Sequence, residues 1–175
     1  MATTATTTAT GSAGPTPAPA RDGVHDFDFL HGRWRVHNRR LRRPLAGSSD
    51  WYEFESTSVE RPLWDGQGNL EEYEAELPTG RLRGLALRLY NPHTRQWTIH
   101  WASAATGTLD APLTGEFRDG RGEFHHQEEF EGRTIDVRFI WTDLGPTACR
   151  WEQAFSADGR RTWETNWVME LTRES

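Results

Sequence analysis

From Gly32 onward no run of ten or more residues keeps the apolar spacing of a helix, and short alternating runs end in Gly, Pro, Asn or Asp about every 10–15 residues. That punctuation confines the chain to an all-β fold. Ten strands are expected, near 33–43, 50–61, 69–77, 82–90, 95–103, 112–118, 121–130, 133–142, 147–156 and 163–173. Their connections are short enough for hairpins and too short for parallel crossovers, so consecutive strands are antiparallel. A flat sheet this wide would leave two rows of unpaired amides, and closure removes both, so the expected architecture is an up-and-down barrel with a two-sheet sandwich as the alternative. Ahead of the first strand, His25-Asp26-Phe27-Asp28-Phe29-Leu30 sets acids before an apolar pair, and Gly32 follows. This predicts a short N-terminal helix closing one end.

The 175 residues amount to one domain. Residues 1–23 are almost entirely Ala, Thr, Gly, Ser and Pro, with no charge before Arg21, and such a composition buries too little apolar surface to offset ordering entropy. They read as a disordered tail on a barrel domain spanning 24–175. No stretch reaches the roughly 20 apolar residues of a membrane helix or resembles a signal peptide, and the single Cys149 excludes an internal disulfide. The expected localisation is cytoplasmic, with no membrane partner. A net charge of −6 also argues against nucleic acid as a partner.

Two hairpin turns set the register. Asp119-Gly120 opposes Arg118 to Arg121 and Gly115 to Phe124, while Glu131-Gly132 opposes Phe130 to Arg133, Glu128 to Ile135, His126 to Val137 and Phe124 to Phe139. Opposed residues share a face, so Leu113, Phe117, Phe124, His126, Glu128, Phe130, Ile135, Val137, Phe139 and Trp141 look inward. Alternation extends the inner face to Trp34, Val36, Asn38, Phe54, Ser56, Tyr73, Ala75, Leu85, Leu87, Leu89, Trp97, Ile99, Trp101, Trp151, Gln153, Phe155, Thr165, Trp167 and Met169. Arg88, Thr98, His100, Arg150, Glu152, Glu164 and Asn166 fall outside. Keeping Trp167 inward requires a longer loop or a bulge near Asp158-Gly159, because a strict two-residue turn there would flip the last strand.

A ten-strand barrel encloses more volume than its side chains readily fill, and rigid aromatic walls with a few polar groups describe a small-molecule site. The expected ligand-binding residues are Asn38, Phe54, Tyr73, Leu87, Trp97, Trp101, Phe124, Phe139, Trp141, Trp151, Gln153, Thr165 and Trp167. The expected partner is a small, largely apolar molecule, aromatic or polyketide-like. The competing expectation is a barrel filled by its own tryptophans that serves as a structural homodimer.

Several motifs carry a family resemblance. They are Phe27-Asp28-Phe29-Leu30, Gly32-Arg33-Trp34 with Val36, Leu89-Tyr90-Asn91-Pro92 with Thr94 and Trp97, and Arg150-Trp151-Glu152-Gln153-Ala154-Phe155-Ser156 followed by Asp158-Gly159, Thr162-Trp163-Glu164 and Asn166-Trp167. Together, over roughly residues 25–173, they resemble a bacterial calycin-like barrel family, DUF1579, to which no established activity belongs. The Gly-x-Trp element is also similar to the lipocalin signature, in which a tryptophan plugs the closed end near a late arginine. The resemblance implies a lipocalin- or nitrobindin-like barrel, with Arg173 in the arginine's place.

His126 and Glu128 are the candidate catalytic residues. Two apart on one strand, they share the inner face, and a carboxylate beside an imidazole in an apolar pocket is an acid/base arrangement suited to a cofactor-independent isomerase or cyclase. A hydrogen-bonded structural pair is the plainer interpretation. No serine-nucleophile motif or phosphate loop accompanies it. His125 and His126 point to opposite faces and lack a third ligand at metal-binding spacing, so no metal is expected. No cofactor is expected either. Haem on His126 is a minor alternative implied by the nitrobindin likeness. Six arginines crowd 33–43 (Arg33, Arg35, Arg39, Arg40, Arg42 and Arg43), either as an anionic rim or as a solvated face paired with acids such as Glu53, Glu55, Glu71 and Glu72. The Trp64-Asp65-Gly66-Gln67-Gly68 loop is expected at the barrel rim or in a dimer contact.

Overall fold

A computed structural model describes residues 22–174. The expected 1–23 tail lies almost wholly outside them. The strands are β1 (Gly32–Leu41), β2 (Trp51–Leu63), β3 (Gly68–Leu77), β4 (Gly80–Asn91), β5 (Gln96–Ser103), β6 (Thr108–Leu109), β7 (Leu113–Arg118), β8 (Arg121–Phe130), β9 (Arg133–Asp143), β10 (Ala148–Ser156) and β11 (Glu164–Arg173). Every pairing is antiparallel. β1 bonds to β11 and β4 to β5, and β7 follows β5, so ten strands form a closed ring with the two-residue β6 appended to β5. The sandwich alternative is thereby excluded. This is a lipocalin-like barrel fold.

Both hairpin registers hold as read: Gly115 faces Phe124, His126 faces Val137, and Phe124 faces Phe139. At the two turns Asp119 and Glu131 take φ of 52° and 49°, followed by Gly120 at 76° and Gly132 at 77°. Positive φ at both central residues is what a type I′ turn demands.

Three expectations need correction. The N-terminal segment is not an α-helix. It is a series of turns ending in one three-residue 3-10 turn, Asp28–Leu30, because His31 leaves the helical region and Gly32 sits at φ 123°. The plug is therefore made by two side chains, Phe27 and Leu30, both fully buried. Second, β4 has the opposite parity. Tyr90 pairs with Trp97, Arg88 with Ile99 and Ala86 with Trp101, so Ala86, Arg88 and Tyr90 look inward and Leu85, Leu87 and Leu89 outward. Third, the longer loop expected at Asp158-Gly159 is there, spanning 157–163, but a register slip beside Gln153 and Ala154 adds to it. Gln153 pairs with Trp167 and Ala154 with Thr165, skipping Asn166. Thr165 consequently turns outward, while Asn166 is buried and accepts a 2.8 Å bond from Gln153 Nε2.

One end of the barrel is packed solid. Phe27 meets Phe117, Trp97 and Phe124 at ring-centroid distances of 4.8, 5.0 and 5.6 Å. Trp97 Nε1 donates to the Gly23 carbonyl and Trp34 Nε1 to that of Leu30, tying the N-terminal turns into the barrel. Arg173 lies over the Trp34 ring at 4.2 Å and donates to the carbonyls of Phe29, His31 and Pro146. The Trp64 loop belongs to this end too and not to the open rim: Gly66 lies beside His25 and Asp28, with Trp64 exposed.

Arg173→Leu should therefore lower stability by about 1–3 kcal/mol, since three carbonyls lose their donor and the Trp34 ring its cation. Urea unfolding of the two proteins measures this. A midpoint unchanged at constant slope would refute the role given to Arg173.

Candidate functional site

Above the packed end, the inner residues enclose a cavity of about 180 Å³. Its walls include Tyr73, Trp101, Phe139, Trp141, Trp151 and Trp167, with Ala86, Ile99, Leu113, Val137 and Met169 between them. The rings hold one another edge-on: Phe139 meets Trp151 at 4.8 Å and 71°, and Trp151 meets Trp167 at 5.5 Å and 85°. Edge-to-face contacts of this kind are the favoured aromatic geometry, so the walls are stiff. Trp101 lies flat across β4 because Gly84 is there. A Cβ at that position would stand 2.2 Å from Trp101 Cζ2.

Beneath the cavity sits a charge cluster that sequence reading missed. Arg88, placed on the outer face by simple alternation, is 2% exposed. Its Nη1 donates to both carboxylate oxygens of Glu60 at 2.9 Å and to Asn69 Oδ1 at 3.0 Å, and its Nη2 to Glu71 Oε2 at 2.6 Å. Ser58 Oγ donates to the other Glu71 oxygen. The guanidinium also lies 5.4 Å from the Phe27 ring centroid and 5.2 Å from that of Trp141, between the plug and the cavity. The overlooked signal was the β4–β5 connection: pairing Tyr90 with Trp97 puts Arg88 on the tryptophan's face.

The thirteen expected ligand-binding residues separate into three groups. Tyr73, Trp101, Phe139, Trp141, Trp151, Gln153 and Trp167 line the cavity. Asn38, Phe54, Trp97 and Phe124 are not among its lining. Trp97 and Phe124 belong to the packed end. Phe54, paired with Asn38, packs beside Trp167 with 6.3 Å between ring centroids. Asn38 works one layer out: its Oδ1 accepts from Tyr73 Oη and Trp167 Nε1, both at 3.0 Å, while its Nδ2 donates to Ser56 Oγ. It aims two wall residues. Leu87 and Thr165 are on the outside, for the parity and bulge reasons given above.

His126 and Glu128 both line the cavity, with His126 Nε2 3.3 Å from Glu128 Oε2. The His126 side chain is 13% exposed and that of Glu128 39%, which sets the pair near the opening. His126 Nδ1 is buried without a hydrogen-bond partner. His125 points out, as its position requires, bonded to Glu123 and against the Trp163 ring. Asp110 and Ala111, from the segment between β6 and β7, complete the opening.

The arginine-rich strand is mostly a solvated face. Arg39 pairs with Glu53 and Arg42 with Asp50, while Arg40, opposite Trp167 in the register and so on its inward face, lies 4.3 Å over the Trp167 ring. Glu71 does not serve that face, since it is buried with Arg88. Among the described residues no group of three or more His, Cys, Asp or Glu side chains comes together as a metal site, and no helix is long and apolar enough to cross a membrane.

No family model matches the sequence, and no curated protein matches it. Solved structures do. The S-type phycobiliprotein lyase of Guillardia theta superposes with a TM-score of 0.60 over 89% of this chain and 94% of its own, at 12% identity. A redesigned β-barrel covers 90% of this chain and 100% of its own with a TM-score of 0.48 at 11% identity. At such identities the lyase likeness establishes a shared barrel fold.

Burial pushes the Glu60 carboxyl up to about 8, against the Arg88 charge and with help from that of Glu71. Two carboxylates share one buried guanidinium, and a proton on Glu60 removes the surplus negative charge. The folded protein thus holds a proton that the unfolded chain, with its carboxyl near 4.5, releases. This contribution is present at low pH and is lost as pH rises through the folded value. Thermal unfolding of wild type and Glu60→Gln from about pH 5 to pH 8 tests it: the wild type's stability relative to the variant should decline across that window. A constant difference would contradict the assignment.

Proposed function

We propose that this protein binds a small, largely apolar aromatic molecule in the open half of its barrel. One observation carries the reading: four tryptophans, a tyrosine and a phenylalanine surround an unfilled space, although the other half of the same barrel is packed with rings. An apolar cavity of about 150 Å³ holds benzene, whereas sites for drug-sized ligands run from about 300 Å³ upward. At about 180 Å³ the guest is therefore a one- or two-ring aromatic, not an extended polyketide or a haem. The lipocalin-like barrel supports a binding role as well. The likeness of the 150–167 motif to the DUF1579 barrels belongs to this reading and adds no activity to it.

The His126–Glu128 contact favours a second reading, turnover of the same guest. Glu128, the more exposed of the two, would take a proton from a carbon of the guest and return it elsewhere while His126 Nε2 holds its carboxylate, which is an isomerisation without cofactor. His126→Ala and Glu128→Gln separate the two readings. Loss of turnover with affinity retained marks an enzyme. Affinity lost without any turnover in the wild type marks an anchoring pair.

Titration with naphthalene or indole, followed by quenching of tryptophan fluorescence, tests the pocket itself. Gly84→Ala should weaken binding at least several-fold, because the Trp101 indole must swing into the space the guest uses, and should destabilise the fold by about 1–3 kcal/mol through overpacking. Absence of quenching by every one- and two-ring aromatic tried would sink the proposal.

A further inference from the structure

The barrel wall is notched beside the cavity. β7 pairs with β5 only through Gly115, Thr114 and Leu113, and its pairing with β8 ends where Thr114 meets His125. Toward the opening the chain stays with β5: Leu109 and Thr108 face Ala102 and Ser103, and the Asp110 amide donates to the Trp101 carbonyl at 2.7 Å. Continuing the β7–β8 register would set Pro112 against Gln127, and a proline has no N–H to give. Among the described residues, His126–Phe130 of β8 therefore pair with β9 alone. Asp110, Ala111 and Leu113 line the cavity from one edge of this notch, His126 and Glu128 from the other.

The charge at this entrance has one sign. Of the charged side chains lining the cavity, Arg88 and Glu71 are matched within their buried cluster, which leaves Asp110 and Glu128. Both are open to water, Asp110 exposed and the Glu128 side chain 39% exposed. Among the described residues Asp110 has no ion-pair partner, and Glu128 has only His126, at 3.3 Å. The entrance is negative whichever form His126 takes. Behind it stand Trp101, Trp151 and Trp167, and indole faces attract cations. Two guanidinium groups already lie on rings of this wall, Arg40 4.3 Å over Trp167 and Arg88 5.2 Å from Trp141. A carboxylate guest would be repelled as it entered, whereas an ammonium gains from both the carboxylates and the rings. We infer that the guest is an aromatic amine, its ring among the tryptophans and its protonated nitrogen at the notch, facing Asp110 and Glu128. This inference rests on the aromatic-pocket reading above and adds the charge that selects and orients the guest.

Phenethylamine, propylbenzene and hydrocinnamate share a phenyl ring and a two-carbon chain, and end in an ammonium, a methyl and a carboxylate. Titration of the full chain with each at neutral pH, read by tryptophan fluorescence, isolates the charge. Phenethylamine should bind about ten-fold more tightly than hydrocinnamate, and Asp110→Asn with Glu128→Gln should close most of that gap while leaving propylbenzene nearly unaffected. Raising salt from about 0.05 to 0.5 M should weaken phenethylamine several-fold and not weaken propylbenzene, a test on the wild type that needs no variant to fold. Hydrocinnamate binding as tightly as phenethylamine overturns the amine assignment in favour of an anion reaching Arg40. A phenethylamine affinity unmoved by the substitutions or by salt also overturns it, as does binding of propylbenzene alone, and each of these leaves the aromatic pocket standing. If none of the three binds, the pocket reading falls and this inference with it.

Discussion

A single arginine, sealed inside a β-barrel, organises this molecule. Arg88 has Glu60 and Glu71 on its terminal nitrogens and aromatic rings on both sides, Phe27 from the plug and Trp141 from the cavity wall. A guanidinium out of water is tolerated only when charge and hydrogen-bond partners surround it, and breaking such a group by removing one partner typically costs about 3–5 kcal/mol. The cluster joins β2, β3 and β4, which supply Glu60, Asn69, Glu71 and Arg88. It lies at the boundary where the barrel changes from filled to hollow.

On either side of that boundary the same residue types do different work. Toward the plug, Trp97, Phe117 and Phe124 close on Phe27 and leave no space, helped by the Trp34–Arg173 stack that fastens the N-terminal turns. Toward the opening, the rings line the wall and Phe139, Trp151 and Trp167 brace one another edge-on. Asn38 holds Tyr73 and Trp167 by their polar atoms, and Gly84 lets Trp101 lie back against β4. Rings restrained at the wall cannot collapse inward, so the space between them persists.

Local rules worked where the turn was short. Between β7, β8 and β9, two-residue loops with positive φ leave no freedom of register, so the inward placement of His126, Glu128, Phe139 and Trp141 followed from counting. Counting failed on β4. Its sequence alternates Leu85, Leu87 and Leu89 with Ala86 and Arg88, and hydrophobicity alone selects the leucines for the interior. The barrel did the reverse, because Glu71 on the neighbouring strand neutralises Arg88 inside and Glu60 and Asn69 accept its remaining hydrogen bonds, while the leucines sit half-covered on the outer surface. Thr165 was misjudged for a related reason: one extra residue at Asn166 reverses parity, and Asp158-Gly159, which calls for a loop or a bulge, does not say at which residue of the strand it falls.

What the chain determines by itself is its strand inventory, its antiparallel hairpins and the inward aromatic face of its C-terminal half, since these depend on alternation and turn stereochemistry within a few residues. The ring closure between β4 and β5, the burial of Arg88 and the hollow above it were decided only by the tertiary structure. Each of those needs groups distant along the chain to meet before its favourable energy exists. A buried charge is affordable only beside its counter-charges, and a cavity exists only once every wall is in place.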